Sequence, residues 1–266
     1  MPSLLIRLIF SLAILLGLNA CGGDTFTRGG YNDTTHIAEI SDSAKAPKMK
    51  KLILANVNFN KPSRVYMQEF EPKVDQMLLE YMQQNGYTFE PAHVFNNAWN
   101  TAVRQTGDSF DPSTGRFKTD THMRAMALTL QYLQENSDAG GILFTDLLEY
   151  EVAFIHGNVK SAKWHGVTRR FEKMGVGSSV PADFDWGRPS EVASLWVNIF
   201  DIESMQRVFS GVGGIDTMEA INMKLSEPRF SRKKDLFNDD ADIEEGIQLA
   251  LHPLIDMPDW PGTKPQ

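Results

Sequence analysis

The chain has 266 residues, 26 basic against 34 acidic side chains, a net charge of −8 and one cysteine. That length supports one large domain or two small ones with a substantial core. The acidic balance argues against a nucleic-acid partner, which demands a basic surface, and a lone cysteine excludes an internal disulfide.

The first segment, MPSLLIRLIFSLAILLGLNACGG, sets Arg7 before an apolar run from Leu8 to Leu18, then small Ala20 and Cys21. A run of about eleven apolar residues suits a secretory signal and falls short of the roughly 20 a spanning helix needs. Leu18-Asn19-Ala20-Cys21 resembles the lipobox of bacterial lipoproteins, with Asn19 an uncommon occupant of its loose position. The resemblance implies cleavage before Cys21, a diacylglycerol on its sulfur and an acylated new amino terminus. The lipid bilayer is then the first partner expected. The alternative is an ordinary cleaved signal that leaves Cys21 as a chance thiol. Gly22, standing where an aspartate would resemble an inner-membrane retention signal, favours the outer membrane of a Gram-negative cell, facing the periplasm.

Four divisions follow: residues 1–20 as signal, 21–48 as a flexible Gly/Thr/Asp/Ser-rich tether, 49–257 as the folded domain, and 258–266 as a Pro-rich tail. Leu52 to Phe59 reads as a buried strand. Val74, Met77, Leu78, Tyr81 and Met82 form one helix face that ends at Gly86. Tyr87 to Glu90 reads as a strand, and Pro91 to Arg104 as a helix with Val94, Phe95, Ala98 and Ala102 inward. Residues 107–120 are a loop. The next helix takes Asp120 or Thr121 as its cap, with Met123, Met126, Ala127, Leu130 and Leu133 inward. GGILFTDLLEYEVAFI is one long strand or two, and KWHGVTRRFE continues the β pattern after an HGN turn. Residues 174–190 are a second loop, and VASLWVNIFDIESMQRVFSGVGG is a hairpin turning near Glu203 and Ser204. NDDADIEEGIQLALHPLI is a helix with acidic residues in its first turn, as its dipole favours.

The pattern search for chemistry assigns no catalytic residue, metal or cofactor. The six histidines stand singly, so no zinc motif forms; His156 and His165 face each other across a hairpin or are simply exposed strand residues. From Asp240, the sixth and twelfth positions of a calcium loop are Glu245 and Leu251, which fail that pattern. No Gly-x-Ser-x-Gly or phosphate-cradling loop occurs. Aromatics and arginine are enriched at binding hot spots, which marks Phe184, Trp186 and Arg188 as candidate partner-binding residues, unless that loop folds onto its own domain. Phe110 and Phe117 make a weaker case of the same kind. Trp260 docks on a partner's groove or on its own domain.

The order of elements, with Ala139–Glu149 as a strand and Phe200–Ser210 as a hairpin, resembles envelope accessory lipoproteins whose domain is similar to the amino-terminal domain of TolB. The curli-secretion lipoprotein, the Pel-polysaccharide export lipoprotein and the penicillin-binding-protein activators belong to that group. Residues 107–120 and 174–190 depart from it as insertions. The resemblance implies a single α/β or α+β domain, with a mixed sheet flanked by helices. It also implies a non-catalytic accessory or adaptor role beside an envelope protein partner. Two alternatives remain open: an anchored hydrolase of peptidoglycan or another envelope polymer, using carboxylates such as Asp146, Glu149 and Glu151, and a carrier of a small apolar ligand.

Overall fold

The computed structural model describes residues 38–55, 57, 65–153, 161–175, 180, 184–224 and 229–261. The expected signal 1–20, Cys21, the expected tether as far as residue 37, the end of the strand expected from Leu52 to Phe59, His156, most of 176–183 and the tail from 262 lie outside that set. The fold is mixed α+β. Its main sheet has six strands in the order Ala38–Ile40 (β1), Arg207–Thr217 (β9), Ser190–Asp201 (β8), Gly141–Val152 (β4), Lys51–Leu54 (β2) and Thr88–Phe89 (β3), with helices on both faces.

Strand β1 (Ala38–Ile40) pairs antiparallel with β9 (Arg207–Thr217). Two short 3-10 turns, Asp42–Lys45 and Pro47–Lys50, then bury Ala44 and Met49. The stretch expected as tether up to residue 48 therefore joins the domain from Ala38 onward, held by pairing with β9, by the Glu39–Arg207 ion pair and by the burial of Ala44 and, just beyond it, Met49.

Strand β2 (Lys51–Leu54) buries Leu52 towards one helical layer and Ile53 towards the other, as a parallel strand covered on both faces must. After the four-residue α1 (Val65–Gln68), α2 (Glu71–Gln84) carries Val74, Leu78 and Met82 inward and stops where Gly86 takes φ +80. Strand β3 (Thr88–Phe89) returns parallel to β2.

Helix α3 (Ala92–Thr106) buries Phe95, Ala98 and Ala102 as expected. Helix α4 (Thr119–Asn136) differs from expectation in two respects. Lys118 is its N-cap and makes no side-chain cap bond, and its inner face carries Thr121, His122, Ala125 and Thr129 beside Met126, Leu130 and Leu133. Met123 and Ala127 are only partly buried. The apolar count missed this rotation because buried polar residues satisfy themselves locally, as Thr129 does by donating to the Ala125 carbonyl at 2.8 Å.

Strand β4 (Gly141–Val152) is a single 12-residue strand, parallel to β2 and antiparallel to β8 (Ser190–Asp201) along its whole length. The β8–β9 hairpin turns at Ile202–Ser204 as expected. KWHGVTRRFE departs from the continuous β segment expected. It forms a tight hairpin of β5 (Ser161–Trp164) and β6 (Val167–Arg170), with His165 and Gly166 both at positive φ (37° and 90°). Two such residues are the requirement of a type I′ turn. A small sheet, β11-β10-β7, is built from Arg229–Arg232, Glu219–Asn222 and Lys173–Met174.

Helix α5 (Asp240–Leu251) begins at Asp239, whose side chain accepts the Ala241 N–H at 2.9 Å. It lies directly on β9. A Cβ built at Gly213 would stand 2.0 Å from the Gly246 carbonyl oxygen, and one at Gly211 would stand 2.1 Å from that of Ala250. Helices α2 and α5 thus cover one face of the sheet, and α3 and α4 cover the other.

Candidate functional site

The chain leaves β2 through α2 on one face and reaches β4 through α3 and α4 on the other. The connections therefore diverge between β2 and β4, and in open α/β sheets that divergence leaves a crevice beyond the carboxyl ends of the strands. A groove of about 610 Å³ occupies that place, a volume typical of ligand sites. Leu54, Ala55 and Val57 at the end of β2 and Thr145 of β4 make its base, and α2 makes its long wall.

Gln68, Glu71, Pro72, Asp75, Gln76, Leu79, Glu80 and Gln83 face the groove. Gln68 ends α1; from Glu71 to Gln83 successive members are one or three residues apart, a broad flank of α2 beside the buried stripe of Val74, Leu78 and Met82. Glu71 and Asp75, four residues apart, are neighbours on the helix surface.

Thr145 donates its hydroxyl to Asp75 Oδ1 at 2.7 Å. Burial nevertheless pushes the Asp75 carboxyl up from 3.8 to about 6, the Thr145 bond opposing this and the negative charge of Glu71 adding to it. Glu71 Oε1 is buried without a hydrogen-bond partner. Glu80 accepts from Gln76 Nε2 at 2.9 Å. Lys73, on the same helix, reaches away to the Phe237 carbonyl at 2.9 Å and to Asp240 at 2.6 Å. Among the described residues, Glu71, Asp75 and Glu80 have no ion-pair partner.

None of these groove residues was singled out by motif. The available signal was the Glu-Pro-Lys-Val-Asp start of α2, where two carboxylates share a flank. It resembles any solvated helix face until Thr145, seventy positions later in the chain, closes the end of the groove.

The residues singled out from sequence fall elsewhere. Phe184 and Trp186 are half-buried on their own domain. Their rings lie 4.7 Å apart, and Phe184 meets Phe230 edge-on at 5.2 Å. Arg188 pairs with Glu219 at 3.2 Å, and Glu219 also accepts from Ser190 Oγ at 2.8 Å. Phe110 and Phe117 close a β-bridge on each other. Trp260 stacks on His252 with ring centroids 4.9 Å apart, so the described start of the tail docks on its own domain.

Asp146, Glu149 and Glu151 do not assemble into one site, since strand alternation puts Asp146 on the opposite face of β4 from the other two. His165 is buried, contrary to the exposed strand position considered for it. Its Nδ1 lies 2.8 Å from Ser194 Oγ, its ring meets Tyr150 edge-on, and burial lowers its pKa to about 4.

The acidic run at the start of α5 faces a second pocket of about 440 Å³, lined by Glu172, Asp216, Asp239, Asp240 and Asp242 among others. Part of its charge is balanced by cations at its border. Lys233, buried, bonds Asp216 at 2.7 Å and Glu172 at 3.0 Å, and Arg169 pairs with Asp242 at 3.0 Å and with Glu245 at 2.7 Å. No group of three or more His, Cys, Asp or Glu with metal-binding geometry occurs among the described residues. No helix among them is long and apolar enough to cross a membrane.

No protein-family model, curated protein or solved structure matches the chain.

Proposed function

We propose that this chain is a lipid-anchored lipoprotein of the bacterial outer membrane. Its domain, similar to the amino-terminal domain of TolB, serves as a non-catalytic accessory or adaptor in assembling or stabilising a cell-envelope complex. The observation that carries this reading is the order of parts: Arg7, an apolar run and Leu18-Asn19-Ala20-Cys21 precede a domain whose first strand begins at Ala38. Three acyl chains at about 0.8 kcal/mol per buried methylene would hold it durably at a membrane. The mixed sheet flanked by helices, with a solvent-open groove along α2, supports a binding role.

The test is covalent cross-linking in intact cells, detergent extraction of the tagged protein and mass spectrometry of what it captures, with Cys21→Ala alongside. The expected result is one envelope protein enriched with the wild-type chain and lost with Cys21→Ala. Equal capture by both chains, or no enriched partner, would count against an anchored adaptor.

A further inference from the structure

We draw no further inference here: the strongest candidate, the buried Asn198 side chain on the face of β8 that also carries Trp196 and Phe200, has no hydrogen-bond partner for its amide among the described residues, but it lines neither of the two pockets described above, so nothing in the structure shows what would bind it.

Discussion

Replacing Asp75 by Asn tests the electrostatics of the groove through stability alone. Asn keeps the shape of the side chain and an Oδ1 that can accept the Thr145 hydroxyl, so the change removes charge and little else. Holding the carboxyl at about 6 instead of 3.8 destabilises the ionised folded state by about 3 kcal/mol, at roughly 1.4 kcal/mol per pH unit. Residual solvent contact at this partly buried site screens part of that, leaving an expected gain of about 1–2 kcal/mol for the variant at pH 7.5.

The sign follows from proton linkage. Because the folded-state value is raised, the folded protein holds its proton more tightly than the unfolded chain. The wild type is then relatively most stable below about pH 4 and loses that advantage as pH rises through about 6. The gain from Asn must accordingly shrink on acidification, to about a third of its neutral value by pH 4.5. Urea denaturation at pH 7.5 and 4.5 measures both quantities. An Asn variant no more stable than wild type at pH 7.5, or a gain unchanged at pH 4.5, would refute a buried, destabilised carboxylate.

Two further predictions concern the scaffold. Gly213→Ala forces a Cβ against the Gly246 carbonyl and the Ala250 N–H; both are backbone atoms, so α5 must lift, at a cost of about 2–4 kcal/mol in chemical denaturation. A cost below about 1 kcal/mol would show that α5 adjusts freely. Lys233→Met leaves Asp216 buried without its cation and should destabilise by about 3–5 kcal/mol, whereas Lys233→Met with Asp216→Leu recovers much of that loss; a double variant as unstable as the single one would contradict the pairing.

Legibility in the sequence followed burial. The opening β2-α2-β3-α3 unit and the β8–β9 hairpin were readable because their apolar residues recur at strand or helix spacing and their turns carry Gly or polar residues. The inner face of α4 was readable at Met126, Leu130 and Leu133 but not over its first half, since Thr121, His122 and Thr129 are buried although polar. The β5–β6 hairpin was overlooked because His165 occupies a positive-φ position more typical of Asn or Gly, and a two-residue turn there is indistinguishable from the middle of a strand. The groove was hidden for a different reason. Its members are polar side chains on one helix flank, and only the crossing of chain connections around β2 and β4 turns that flank into a concave wall.

The placement of β1 also bears on how the domain would respond to force. Strand β1 is short: among the described residues it meets β9 through the pairs Ala38↔Gly211, Glu39↔Ser210 and Ile40↔Phe209, the Glu39–Arg207 ion pair and the Ser41 N–H to the Val208 carbonyl. A pull applied at Ala38 reaches these contacts before any of the long β4–β8–β9 ladder. Peeling β1 and the two 3-10 turns behind it would release residues 38–50, about 45 Å of extended chain, while β2 and both helical layers stay in place. Strand β1 would then act as a mechanical slack element, lengthening under load without unfolding the core.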